Sequence, residues 1–327
     1  MIRRSPSIWL QSAIVIALIS TTYAARQRGP AGDAAPVEIG IAVTAVAVPL
    51  NPTDLSVTAI GDFVYAGGLV LTASGTTRFH ELSDMVVAGR DRITAVGDGG
   101  VLLEARLVLD GTGHLVGMTD ARLTPLLDQS GKPLQGQARS DAEGLAVLPS
   151  GDRLVSFERQ SRIWLYPKAG GPPRAVPSPR DRFPSNAGME ALTTAPDVGD
   201  DAYIVGAEES GKTWICRLST GCAPGPTIDK PKEFGLVALA RLPDGLTAYL
   251  LRAYDPVRKT RIMLKIFKGT TVIDEMDMAP PLTVDNFEGL AYRAQEDGRI
   301  RFYLVSDDNA AADQRTLLLA FDWRPRR

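Results

Sequence analysis

One pattern recurs five times along the chain, and acidic residues return to the same places in it. The clearest copy runs from Asp141 to Glu158: an acid ahead of Gly-Leu, an apolar run, a Pro-x-Gly turn, and a strand ending on Glu. Further copies start at Gly188-Met-Glu190, at Phe234-Gly-Leu-Val237 and at Asn286-Phe-Glu288, and a weaker first copy begins at Leu82-Ser83-Asp84. Aligned on their turns, Ser83, Glu143, Glu190, Val237 and Glu288 become equivalent, at separations of 60, 47, 47 and 51 residues. Periods of this size, made of short strands and turns, belong to radial or stacked repeat folds. Within a unit, Gly144 to Leu148, Arg153 to Phe157 and Ile163 to Tyr166 read as successive strands bounded by Gly and Pro. No segment after residue 30 sustains a helical period. The expectation is an all-β chain folded as a single β-propeller.

The direct count is five blades. Six remain open if residues 37–77 form a blade whose turn has decayed. The last copy has strands at Gly289 to Tyr292, Ile300 to Ser306 and Leu317 to Asp322, after which the chain ends without an outermost strand. Apolar segments at Ile41 to Val48 and Phe63 to Leu71 are available to supply it, and a strand borrowed from the other end of the chain would close the ring and hide two open edges. The propeller domain then spans 79–323, with closing strands in 37–78.

Residues 1–24 have the layout of a secretory signal: Arg3 and Arg4, an apolar stretch from Ile8 to Ile19, and small residues ending at Ala24. An uncleaved membrane anchor is the alternative. Residues 25–36 read as a flexible lead. The expected location is periplasmic or secreted, with no membrane span once the signal is removed. Removing the signal moves the formal charge from -2 to -4. With no run of Lys or Arg, nucleic acid is excluded as a partner, because such binding rests on phosphate neutralisation. The chain is expected to be a monomer. Its two cysteines, Cys216 and Cys222, flank a short turn; in an oxidising compartment they would staple a hairpin, and otherwise they are free thiols.

In a propeller the innermost strand of each blade lines the axis, so Glu143, Glu190 and Glu288 should converge at one opening. Asp98, Glu158, Glu208 or Glu209, and Asp307 or Asp308 end the second strands. Antiparallel pairing brings the start of the first strand beside the end of the second, so both acidic sets share one face. Three carboxylates some ~7 Å apart repel by roughly 2 kcal/mol per pair at an effective dielectric near ~20. Such a cluster needs protons, arginine partners or a bound cation. Arg159 and Arg252 are the candidate partners and substrate contacts. Oxygen ligands without His or Cys fit Ca²⁺ or Mg²⁺, with Glu143, Glu190, Glu288, Asp98 and Glu208 as ligands. Turn capping is the competing explanation for any single acid.

The Glu-Gly-Leu, Pro-x-Gly, Phe-Glu-Arg and Ser-Asp-Asp-Asn elements resemble the phytase-like, "esterase-like activity of phytase" family of exported bacterial proteins, over about residues 79–323. The resemblance implies a phosphoesterase or phosphodiesterase activity carried by Glu143, Glu158, Glu190, Glu288 and Asp307, on a small phosphorylated substrate. Ser83 and Val237 depart from the pattern. Glu158 or Asp307 would position the attacking water, and Arg159 would hold the phosphate. Two other readings stand beside this one. The first is a non-catalytic propeller that binds a ligand or an envelope partner. The second is a serine hydrolase, for which no Gly-x-Ser-x-Gly elbow exists and only His80 or His114 could act as base.

Overall fold

The computed structural model describes residues 38–325, so the expected signal (1–24) and lead (25–36) fall outside the described residues. Four strands come first: β1 (Ile39–Gly40), β2 (Ala42–Ala47), β3 (Ala59–Ile60) and β4 (Phe63–Ser74). The first blade follows with β5 (Leu82–Ala88), β6 (Arg92–Gly97), β7 (Val101–Leu109) and β8 (Leu115–Pro125). The second holds β9 (Ala142–Val147), β10 (Arg153–Phe157), β11 (Arg162–Tyr166) and β12 (Arg174–Ala175). The third holds β13 (Ala191–Thr194), β14 (Ala202–Gly206), β15 (Thr213–Arg217) and β16 (Gly221–Pro224). The fourth holds β17 (Gly235–Arg241), β18 (Leu246–Asp255), β19 (Lys259–Lys268) and β20 (Thr271–Met278), and the last begins with β21 (Phe287–Ala294), β22 (Ile300–Ser306) and β23 (Leu317–Trp323). Among the described residues helix is confined to one turn, α1 (Gln137–Ser140), and a 3-10 turn at Pro243–Gly245.

These strands form five sheets, each a blade, and residues 37–77 make no sixth. The N-terminal strands are instead divided between two blades. β4 pairs with β23 and β2 lies outside β4, completing the last blade, while β1 adds to the outer edge of β8 in the first. One short segment therefore ties both ends of the ring. Short fourth strands, β12 and β16, were not separable in the sequence from loops; Cys216 and Cys222 face each other across β15 and β16 and are joined by a disulfide.

Closure is also legible in the core. Five apolar clusters fill the gaps between neighbouring blades: Phe157 and Leu102 between the first and second, Leu154 and Tyr203 between the second and third, Leu236 and Ala191 between the third and fourth, Leu250 and Phe287 between the fourth and last, and Tyr303 and Leu82 between the last and first. An open stack of five would have one gap fewer. Inner strands also meet their neighbours all the way round, β5 to β9, β13, β17, β21 and back to β5. They meet closely: a Cβ on Gly144 would lie 2.6 Å from the Glu190 carbonyl oxygen of the next blade. The glycine after Glu143 is therefore a condition of convergence at the axis.

The closing strand is anchored by aromatic packing. Phe63 is fully buried, stacks on Trp323 with centroids 6.1 Å apart and touches Phe302 at 6.2 Å. Removing that ring should open a cavity where the two chain ends are tied. Phe63→Ala is expected to cost about 3–5 kcal/mol of unfolding free energy, whereas Val64→Ala, on the exposed side of the same strand, should stay within about 0.5 kcal/mol. Urea denaturation of the two variants checks this; equal losses would mean that β4 does not seal the ring.

Candidate functional site

Each blade presents three positions to one mouth of the ring. The first is an irregularity in the inner strand. The β5–β6, β9–β10, β17–β18 and β21–β22 ladders all slip near their starts, at Ser83, Glu143, Val237 and Glu288, and Glu190 stands just ahead of β13. A bulge re-aims the extra residue, and here it gathers the equivalent side chains. The three glutamates are 7–8 % exposed.

The second position closes the second strand. Its amide donates to the carbonyl of the residue that opens the blade: Asp98 to Glu81 at 3.1 Å, Glu158 to Asp141 at 3.0 Å, Glu208 to Gly188 at 3.2 Å, and Asp307 to Asn286 at 3.0 Å. In the fourth blade the ladder pairs Gly235 with Arg252, so Arg252 holds the place of Glu158. The blade with Val237 at the first position thus carries the one cation at the second. Glu208 and Asp307, not their neighbours Glu209 and Asp308, occupy the circle. Asp308 instead accepts bonds from the Glu81 amide at 3.0 Å and from Thr316 at 2.7 Å.

The opening residues, Glu81, Asp141, Gly188, Gly235 and Asn286, form the third set. Second-position side chains lean on the third position of the following blade. A Cβ on Gly235 would meet Glu208 Oε1 at 2.6 Å, so glycine there makes room for the acid. Asn286 in the same role donates to Glu288 at 2.9 Å and accepts from Arg252 at 2.8 Å.

Arg252 binds the Glu288 carboxylate directly and reaches Glu208 at 3.4 Å. Burial pulls its pKa down, but Glu288, Glu208 and Glu190 outweigh that and hold it charged. It is therefore an internal counter-ion to two of the expected metal ligands, Glu288 and Glu208, rather than a free substrate contact. Arg159 pairs with Asp141 at 2.6 Å, and its side chain is 41 % exposed. Asp141 was conspicuous in the motif and received no role in the sequence reading; burial now places it inside the cup.

On the other side of the axis the acids crowd together, and apart from the Arg159–Asp141 pair no arginine contacts them among the described residues. Glu143, Glu158 and Glu190 bring carboxylate oxygens within 4.8 Å of one another, and so do Asp98, Asp141 and Glu143. That spacing is tighter than the ~7 Å inferred from strand geometry. Burial, then repulsion from Glu190 and Asp98, raises Glu143 well above the carboxylate range, and burial followed by Glu208 does the same for Glu190. Burial, with Asp141 and Glu208, pushes Glu158 up to about 7. Asp307 rises to about 8 through burial and Glu288, and Asp98 to about 9 through burial, Glu288 and Asp307. Ser83 bonds Asp98; Asp307 accepts from the Asn309 amide at 2.6 Å and sits outside both close groups.

Below the cup lies a residue the sequence reading did not single out. Asp84 fills the slot that glycine takes in the second and last copies, and its buried carboxylate accepts amides from three blades: Met85 at 2.8 Å, Leu145 at 2.8 Å and Leu290 at 3.3 Å. An acid where the repeat has Gly was the available clue. The serine-hydrolase alternative finds no support in contacts: His80 Nε2 donates to the Thr77 carbonyl at 2.6 Å, with Glu81 2.9 Å away but out of hydrogen-bond alignment, and His114 is held by Thr112 and Asp110 in its hairpin. Gly97 to Gly100 is a hairpin turn, closed by a 2.9 Å bond.

The family profile described as "Phytase-like: Esterase-like activity of phytase" matches residues 77–310, a span that contains every position of the three circles. Among solved structures the chain is similar to a streptogramin B lyase, at 11% identity and a TM-score of 0.43, over 86% of this chain and 98% of that one. It is similar also to virginiamycin B lyase from Staphylococcus aureus, at 9% identity and a TM-score of 0.42, over 86% and 99%. Likeness at that level carries no argument about activity. No curated protein sequence matches the chain.

Asp84→Ala leaves three buried amides without an acceptor. At about 1–3 kcal/mol for each orphaned donor, unfolding free energy should fall by at least ~3 kcal/mol; a loss below ~0.5 kcal/mol in urea titration would contradict the bridging role. The cup makes a second prediction. Carboxyls with folded pKa values above their unfolded ones favour the fold at low pH and lose that contribution as pH rises through the folded values. For Glu158, Asp307 and Asp98 those values are about 7, about 8 and about 9. The thermal midpoint in EDTA should therefore decline from pH 5 to pH 9, and calcium should restore it most at the alkaline end. A midpoint flat in both would show that the acids do not strain one another.

Proposed function

The chain belongs to the phytase-like family, described by its esterase-like activity, and from that premise we propose that the acidic mouth is a cation-assisted phosphoester hydrolase site. One observation carries the reading: two carboxylate groups share Glu143, each with its oxygens within 4.8 Å, and while Arg159 pairs with Asp141, Glu143, Glu158 and Glu190 make no ion pair among the described residues. Ca²⁺ binds six to eight oxygens at about 2.3–2.6 Å and Mg²⁺ six at about 2.0–2.1 Å, so oxygens at this spacing can face a common ion. Neutralisation by an ion would also relieve the burial and repulsion that raise these acids. The donors fit Ca²⁺ or Mg²⁺; neither histidine nor cysteine contributes.

Glu143, Glu158, Glu190, Asp98 and Asp141 are the residues that would hold it. Glu288 and Glu208, paired to Arg252, shape the cup's far side. A cation bound there would polarise phosphoryl oxygens and lower the pKa of bound water. Glu158, ionised once a cation relieves that crowding, would take the proton of an attacking water at its carboxylate. As the water oxygen bonds phosphorus, the ester P–O bond breaks and the leaving alkoxide is protonated from solvent. Arg159, half open at the rim, can grip a non-bridging phosphate oxygen. Asp307, steadied by Asn309 and Asn286, stands on the opposite wall and can orient the leaving group.

The disulfide between Cys216 and Cys222 supports reading the protein as exported, since such bonds persist in oxidising compartments. No helix among the described residues is long and apolar enough to cross a membrane.

Hydrolysis of p-nitrophenyl phosphate and bis-p-nitrophenyl phosphate, each with Ca²⁺, Mg²⁺ or EDTA, tests the proposal. Turnover should require a cation, and Glu158→Gln should lower kcat by about 10²–10⁴-fold with KM little changed. Background rates under all conditions would leave a propeller that binds its ligand without cleaving it.

A further inference from the structure

The inner strands run from the acid cup to the opposite mouth, and where β5, β9, β13, β17 and β21 end they enclose a cavity of about 1010 Å³. Its floor is apolar, with Met85, Leu145, Leu192 and Leu290. The amides of three of these bond Asp84, which therefore stands between the two mouths. Around the wall are six cations and three carboxylates. Each carboxylate is taken by one cation: Glu38 by Arg122 at 2.9 Å, Asp120 by Arg106 at 3.6 Å, and Glu104 by Arg153. Arg92, Lys168 and Arg293 remain, with no carboxylate partner among the described residues. They come from three consecutive blades, the first, the second and the last.

Cations gathered from separate blades over an apolar floor repel one another, and among the described residues none of these three has an ion-pair partner. Low-dielectric walls focus such a field into the cavity. Its size is that of a small-molecule site, larger than one inorganic ion needs. We propose that this funnel binds a small organic anion with two or more negative charges, phosphate or carboxylate, whose charged groups meet Arg92, Lys168 and Arg293 while its carbon skeleton reaches the floor. The site is independent of the acid cup and of any reaction there, and opposite signs at the two mouths keep their ligands apart.

Calorimetric titration of metal-stripped, chelator-free protein with pyrophosphate and with citrate at low salt tests it. Wild type should bind at least one probe, and the double variant Arg92→Ala/Arg293→Ala should bind roughly tenfold or more weakly. Lys168→Ala, at an exposed position, gives a further variant with little risk to folding. Binding by Glu143→Gln should match wild type, which separates the funnel from the cup. Loss of one probe's binding in the arginine variant supports the site and identifies the anion class. No heat from either probe with wild type, or unchanged affinity in a double variant whose thermal midpoint is intact, overturns the proposal.

Discussion

Convergence of five inner strands on one axis forces like residues of a repeat into contact, and here the repeated residue is an acid. Everything at the mouth follows from how that repulsion is handled. Placed on one strand, an Asp or Glu near its start costs almost nothing. Repeated around a centre, with the oxygens of three acids within 4.8 Å of one another, it sets buried negative charges against each other in a medium that screens poorly. The fold answers in two ways. On one side Arg252, in the slot other blades give to Asp or Glu, neutralises Glu288 and Glu208. On the other side Arg159 takes Asp141, and the remaining acids are left to protons or a cation.

Asymmetry is thus the functional content of a symmetric scaffold. Val237 removes one acid, Ser83 replaces another with a hydroxyl that serves Asp98, and Asn286 replaces a charged third-position residue with an amide that can face both Arg252 and Glu288. Asp84 breaks the glycine rule of the repeat and uses the break to tie three blades. Farther along the same strands the wall turns basic, so the two mouths present opposite charge across a short distance.

The architecture was legible because it rests on periodicity. Turn spacing identified the equivalent positions, and the bulges at Ser83, Glu143, Val237 and Glu288 fall on them. Ring closure by the N-terminal segment was legible because β23 ended the chain with an unpaired edge and Phe63 to Leu71 was an apolar run without a partner. The count of five was legible too, and only the exclusion of a sixth blade needed coordinates: β1 and β2, adjacent in sequence, part to the neighbouring first and last blades, and no local property of Ile39 or Ala42 announces that. Partner choice in the site was equally hidden. Arg159 follows Glu158 in sequence yet pairs with Asp141, since adjacent residues on a strand end point apart. Arg252 was visible as a cation, but its equivalence to Glu158 depends on the ladder register across a bulge. Asp84 lay in plain view in a copy too weak for its departure to carry weight.

The central claim is that crowded carboxylates hold protons near neutral pH and surrender them to a cation. Calorimetry of calcium binding at pH 7 in buffers of different ionisation enthalpy measures this directly, because protons displaced by the ion are taken up by the buffer. The account predicts an observed enthalpy that varies with buffer, corresponding to net proton release, and a smaller release for Glu143→Gln. Calcium binding with no buffer dependence, or no binding, would contradict it.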